Sequence, residues 1–121
     1  MKALILIAHG SRKAASNTEF SSMVSLLRLK LKDNFEHVEA SFLEFCEPSI
    51  EASLEMVIQK GITEILIYPF FLNSGKHVTV DIPMKIETIQ VMYPEVSLCL
   101  LPHFGSSEHI ISTIISDLED L

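Results

Sequence analysis

Apolar runs and helical stripes alternate along this chain in an order that predicts four strand–helix units. Strand one, about Lys2–Ala8, is apolar on both faces, as a central parallel strand should be. From about Ala15 to Asp33, residues Phe20, Met23, Val24, Leu27 and Leu31 recur at helical spacing. A second strand over His37–Phe45 alternates more and carries polar Glu39 and Ser41, which suits a sheet edge. A second helix is expected from Pro48, a favoured first-turn residue, to just before Gly61, with Ile50, Leu54, Val57 and Ile58 facing inward. Strand three is Glu64–Tyr68, and a loop containing His77 follows it. Asp81 is placed as the N-cap of a third helix that runs to Met92 and ends before Pro94. Val96–Leu101 forms the last strand. A helix from about Ser107 then turns Ile111, Ile114, Ile115 and Leu118 inward.

Alternating strands and helices imply a parallel sheet with right-handed crossovers and helices on both faces, an α/β fold of the three-layer α/β/α sandwich type. Residues 1–121 are expected to form a single domain of this kind. Strand order 2-1-3-4 is the simplest one that leaves the semi-polar second strand at an edge. The topological switch point then falls between strands one and three. Open α/β sheets bind ligands there, beyond the carboxyl ends of the strands.

Composition narrows the function. The 121 residues, 48% hydrophobic, suffice for a packed core. No apolar stretch approaches the roughly 20 residues of a membrane span. The segment after Met1-Lys2 is too short for a signal peptide, so a cytoplasmic location without membrane association is expected. A net charge of −7 with no basic stripe disfavours nucleic acid. Cys46 and Cys99 lack C-x-x-C spacing, so neither a disulfide nor a structural zinc site is expected, and Cys99 reads as a small core residue. No G-x-G-x-x-G, Walker lysine or G-x-S-x-G pattern is present.

The switch point holds the most informative pair of residues. His9 ends strand one in His9-Gly10-Ser11, and His77 follows strand three in Asn73-Ser74-Gly75-Lys76-His77. Glu44 ends strand two on the other side of His9. Neighbouring strands lie about 4.8 Å apart, so the three ends span roughly 10 Å. Imidazole is both a ligand for late first-row metals and a base near neutral pH. Two imidazoles and a carboxylate in that span could hold or pass on a divalent cation, or take protons from a bound ligand. Each also has a plainer reading: His9 as a turn residue before glycine, His77 as a polar loop residue, Glu44 as a solvated edge carboxylate. His103, after Pro102, could reach the same cleft, whereas His37 and His109 read as surface residues.

The segment Leu4–Arg12 (Leu-Ile-Leu-Ile-Ala-His-Gly-Ser-Arg) resembles the opening of the class II tetrapyrrole chelatases. The likeness continues in Phe42-Leu43-Glu44, Pro48-Ser49-Ile50, Pro69-Phe70-Phe71-Leu72, Gly75-x-His77-Val78 and Asp81-Ile82-Pro83, and so covers nearly the whole chain. Within that family the chain is similar to the short sirohydrochlorin cobaltochelatases of the small CbiX type. The resemblance implies a chelatase-like fold. It implies that His9 and His77 bind the incoming metal and help deprotonate the macrocycle, with Glu44 assisting. It implies no permanently bound cofactor: a divalent metal, cobalt first with nickel and iron as alternatives, is a substrate beside sirohydrochlorin, for cobalamin or related tetrapyrrole biosynthesis. Long members carry two such domains in one chain, so this chain is expected to work as a homodimer with the macrocycle between subunits. A histidine-rich insertion found in a few short members has no counterpart here, and no metal-storage role is carried over.

A polycarboxylate macrocycle fits a chain of charge −7 only through local fields. Ser11, Arg12 and Lys13 precede helix one, whose amino terminus attracts anions, and Ser74, Gly75, Lys76 and Lys85 flank His77 or helix three. A positive rim is expected in which Ser11, Arg12, Ser74, Gly75 and Lys76 contact the substrate. Two rival functions remain, the first using His9 and the second the same residues as a chelatase. A phosphohistidine phosphatase or phosphocarrier also has His-Gly after its first strand, but the phosphatase motif needs arginine where Ala8 stands, and neither explains Gly75-x-His77. A non-catalytic metal or tetrapyrrole carrier is the other.

Overall fold

A computed structural model describes residues 1–119 and 121. Four parallel strands, β1 (Lys2–Ala8), β2 (His37–Phe42), β3 (Glu64–Pro69) and β4 (Ser97–Leu100), form one sheet in the order β2-β1-β3-β4. The expected order therefore holds. Helices α1 (Ala14–Lys30), α2 (Ile50–Gln59), α3 (Ile82–Met92) and α4 (His109–Glu119) follow the strands in turn. β1 is central, pairing Ala3–Ala8 with His37–Phe42 on one side and Lys2–Ile7 with Glu64–Pro69 on the other. Its Ala3, Ile5 and Ile7 are fully buried, which is why this strand shows no polar alternation.

On one face of the sheet, Ile5, Ile7, Ile65 and Ile67 pack against Leu54 and Val57 of α2 and Ile82 and Ile89 of α3. α2 begins at Ile50 rather than Pro48, because the Ser49 hydroxyl accepts the Ala52 N–H at 3.1 Å and caps the helix there. Gly61, with φ 93°, ends it as expected. The Tyr93 hydroxyl donates to Glu55 at 3.2 Å and ties the end of α3 to α2; that carboxylate holds the phenol pKa above its ordinary value.

On the opposite face, Leu4, Leu6, Val38 and Phe42 pack under Phe20 and Val24 of α1. β2 is the edge strand, but not because both polar residues face water. Ser41 is fully buried and its hydroxyl donates to the Leu6 carbonyl at 3.3 Å. Glu39 pairs with Arg28, whose Nε donates to the Val38 carbonyl at 2.9 Å, so α1 clamps this edge. His37, expected at the surface, is half-buried 3.7 Å from Glu39.

Coverage of this second face is incomplete. The cross-strand row Val38, Leu4, Leu66, Cys99 runs from fully buried at Val38, through 8% exposed Leu4 and partly buried Leu66, to exposed Cys99. α1 lies over β2 and β1, and α4 does not close the rest. Ile111, Ile114, Ile115 and Leu118, expected to face inward, are 51–65% exposed, and α4 has no buried residue. The core reading of Cys99 fails for the same reason. Among the described residues, no helix is long and apolar enough to cross a membrane.

Candidate active site

The β1–β2 ladder runs past the regular strands and sets two side chains next to each other. The Leu43 N–H donates to the Ala8 carbonyl at 3.0 Å, and the Glu44 N–H to the His9 carbonyl at 2.9 Å. Gly10 then turns the chain with φ 92° so close to Glu44 that a Cβ there would sit 1.9 Å from the Glu44 carbonyl oxygen. On the other strand, Phe45 turns away with φ 65°. The Ser11 segment is pinned by Asn17, whose amide accepts from the Ser11 N–H at 2.9 Å and donates to its carbonyl at 2.7 Å. Beyond β1 on its other side, the Phe70 N–H donates to the Ile7 carbonyl at 2.7 Å.

His77 does not lie in an irregular loop. Residues His77–Asp81 form a π-helical turn that runs directly into α3, with the Ile82 N–H bonded to the His77 carbonyl. The Gly75 carbonyl anchors the turn by accepting the N–H groups of Val78 and Thr79 and the Thr79 hydroxyl. Asp81 was expected to cap α3. Its backbone is instead helical, it makes no cap bond, and its carboxylate takes the His77 Nδ1–H at 2.8 Å.

These elements bring the His9 and His77 rings to 4.8 Å between centroids, inclined by 45°. Glu44 Oε2 lies 3.1 Å from His9 Nε2. Each imidazole thus has one nitrogen beside a carboxylate and one left over. With Nδ1–H given to Asp81, Nε2 of a neutral His77 carries the lone pair, free to ligate a metal or accept a proton. All three expected site residues are reachable from solvent, with side-chain exposures of 42–48%. Among the described residues, no three His, Cys, Asp or Glu side chains converge into a closed metal centre.

Around the pair, the structure places the expected rim unevenly. The Arg12 guanidinium lies 4.9 Å above the Phe45 ring, and Phe45 meets His9 edge-on at 6.1 Å. The Ser11 hydroxyl accepts the Lys13 N–H at 3.0 Å, while Ser74, Gly75 and Lys76 are exposed at the start of the π-helical turn. Lys85 is held by Glu51 at 3.2 Å and faces a cavity of about 270 Å³ lined also by Leu43, Glu44, Asp81 and Met84. Exposed Phe45, Leu72, Val80 and Met84 add apolar surface on the segments that carry the polar groups. His103 is not brought in; it precedes a 3₁₀ turn and its carbonyl accepts the Ser106 hydroxyl at 2.6 Å.

Three contributors escaped the sequence reading: Asp81 as partner of His77, Phe45, and Asn17. The four-residue step from His77 to Asp81 was a usable signal for the first, since it places both on one helical face. No pattern in the sequence marks Phe45.

Comparisons with known proteins agree with this fold. The chain is 28% identical over 120 residues to a sirohydrochlorin ferrochelatase of Priestia megaterium, covering 99% of this chain and 44% of that protein. It is 36% identical over 90 residues to a sirohydrochlorin cobaltochelatase of Methanococcus aeolicus, covering 74% and 62% respectively. The crystal structure of the sirohydrochlorin chelatase SirB from Bacillus subtilis subspecies spizizenii in complex with cobalt superposes with a TM-score of 0.85 at 26% identity, over 99% of this chain and 50% of that one. The chain thus spans about half the length of several proteins it matches. The profile of the CbiX family matches residues 3–121, and the chain belongs to that family.

Proposed function

We propose that this protein is a sirohydrochlorin chelatase, inserting a divalent metal into the macrocycle at the His9–His77 pair and working as a homodimer in the cytoplasm. The observation that carries the reading is the 4.8 Å approach of two imidazoles at the carboxyl edge of the sheet, each with its own carboxylate. Metallation needs the ion to shed water and the ring to lose two pyrrole protons. Neutral imidazole replaces water on a late first-row ion. Glu44 and Asp81 stabilise the imidazolium that forms when a ring takes a proton. Cobalt is the first candidate metal. Relatives named for cobalt and for iron keep both in play, and imidazole with carboxylate admits nickel too. A phosphohistidine role fits less well, because Glu44 lies 3.1 Å from His9 Nε2 and would repel a phosphoryl group there.

The test is anaerobic metallation of sirohydrochlorin with cobalt, nickel or iron(II), followed by absorbance against an enzyme-free blank. Many turnovers per site, fastest with cobalt, are expected. Binding that stops at one equivalent would favour the carrier, and no acceleration by folded protein would overturn the proposal.

Two groups of variants probe the surroundings. Arg12→Glu and Lys76→Glu are each expected to raise KM for the tetrapyrrole several-fold with little change in kcat, as loss of a positive rim requires; unchanged KM in both would remove the rim. Asp81→Asn is expected to lower kcat about 10-fold and leave KM alone, as loss of a partner that orients an imidazole does. A shift in melting temperature without a kcat effect would make Asp81 merely structural.

A further inference from the structure

Phe45 is the one member of the site whose placement the packing of the fold does not account for. Its neighbours are absorbed by the interior: Leu43 packs against the core under α2 and α3, and Cys46 against the core under α1. Phe45 stands between them with φ 65° and is 52% exposed. The Cys46 N–H donates to the Glu44 carbonyl at 2.8 Å across it, so Phe45 is the centre of a γ-turn of the rare, strained kind with positive φ. A bulky side chain is a poor occupant of such a backbone, and glycine is the usual one. Burial does not offset the strain, because half of the residue faces solvent.

The turn is nonetheless held firmly. The Glu44 N–H donates to the His9 carbonyl at 2.9 Å, and the Glu44 carbonyl, the acceptor of the turn, abuts Gly10. Strain enforced in this way gathers at sites that grip ligands. What it achieves here is a row of flat groups. The Arg12 guanidinium lies 4.9 Å above the Phe45 ring, and Phe45 meets His9 at 6.1 Å with the planes inclined by 76°. His9 in turn lies 4.8 Å from His77. Arg12 is anchored through its chain neighbour, since Ser11 exchanges two hydrogen bonds with Asn17. From the imidazole pair outward, the row therefore runs to an apolar aromatic ring and then to a cation.

We infer that Phe45 is a specificity-determining residue: it packs against the rim of the tetrapyrrole and holds Arg12 where a peripheral carboxylate of that ring arrives. The inference rests on the proposed function and deepens it. A macrocycle with its central nitrogens at the His9–His77 pair is flat, broader than the pair and fringed with carboxylates. Past His9 its rim meets an aromatic surface that suits a π-system, and its fringe meets a guanidinium that suits a carboxylate. A free arginine would take a carboxylate from any anion. Stacked on Phe45, it offers its charge at a fixed distance from the histidines and loses less freedom when it binds. The two residues thus select a ring of the right breadth with an acid at its edge. That task is separate from the ligation and proton transfer assigned to His9 and His77.

Titration of metal-free sirohydrochlorin with protein, followed by the fluorescence of the macrocycle, tests this without turnover. Phe45→Ala is expected to raise Kd about 10-fold, and Phe45→Tyr, which keeps the ring, to stay within about two-fold of wild type. Phe45→Gly makes a similar truncation and relieves the backbone, so it should match Phe45→Ala in binding and melt at a higher temperature. Arg12→Ala should weaken binding several-fold in the wild-type background and hardly at all in Phe45→Ala, because the guanidinium has already lost its support. Coproporphyrin, with half as many carboxylates, should bind more weakly than sirohydrochlorin, and both Phe45→Ala and Arg12→Ala should narrow that gap about three-fold. A Kd within about two-fold of wild type in both Phe45→Ala and Phe45→Gly overturns the inference and leaves the chelatase reading intact. Weaker binding with an unchanged gap between the two macrocycles overturns the specificity role. A wild-type protein that binds no sirohydrochlorin overturns the chelatase reading and this inference with it.

Discussion

His9→Ala and His77→Ala are each expected to lower turnover about 10²–10⁴-fold, the range for removing a positioned acid–base group. Both rings lie at the open edge of the sheet with 42–44% of the side chain exposed, so truncation opens no core cavity and the melting temperature should change little. Stability and activity therefore separate cleanly at these positions. The two rings are 4.8 Å apart, so the proposed function has them act on one ion and one macrocycle. The double variant should consequently lose little more than either single one, because groups acting as a unit are not additive. Metal-dependent absorbance rates for the two single variants, the double variant and a His37→Ala control decide the matter. Either single variant within three-fold of wild type would remove that histidine from the chemistry.

The second large effect is expected from a residue with no side chain. Gly10→Ala places a methyl group 1.9 Å from the Glu44 carbonyl oxygen in a backbone with φ 92°. The obstacle is a main-chain atom, itself held by the Glu44 N–H bond to His9, so it cannot swing aside as a flexible side chain would. Left-handed strain and the displaced strand end together should cost about 2–4 kcal/mol and lower the melting temperature by about 10 °C. Turnover should fall with it, because the ladder that sets Glu44 beside His9 is the part that moves. Gly75→Ala is the matched control: nothing lies within 4 Å of its virtual Cβ, so its melting temperature should stay within a degree or two. Equal behaviour of the two variants would show that the Gly10 turn relaxes freely.

Much of the frame can be read from the chain because burial writes itself into periodicity. β1 is apolar from Ala3 to Ala8 since both of its faces are covered there, and that alone marks it as central. The α2 stripe of Ile50, Leu54 and Val57 predicts a buried face, and the sheet supplies one. The two histidines and Glu44 were legible because strand order converts sequence position into a place along one edge. What failed to show depends on geometry that periodicity does not encode. The α4 stripe states that a face must be covered and is silent on what covers it, so the pattern points Ile111 and Leu118 inward and Cys99 to a core, whereas all three are exposed. Asp81 looks like an N-cap by residue type; the π-helical turn ahead of it already supplies helical backbone and frees the carboxylate for His77. Ser41 sits on an edge strand yet is buried, because it pairs with Ile7 and so lies on the face of the sheet that α2 covers.

The π-helical turn makes the position of His77 a matter of phase. α3 is locked to the core by Ile82, Ile86 and Ile89, so everything upstream is referenced to it through a turn that holds one residue more than an α-helix would. Each residue advances a helix by about 100°. Shortening His77–Asp81 by a single residue would let the turn anneal into ordinary α-helix and rotate His77 about the helix axis, away from His9, with every side chain of the site still present. Two chains identical at His9, Glu44, His77 and Asp81 can therefore differ in whether they have a paired site at all, and the discriminating character is the number of residues between His77 and the first buried isoleucine of α3.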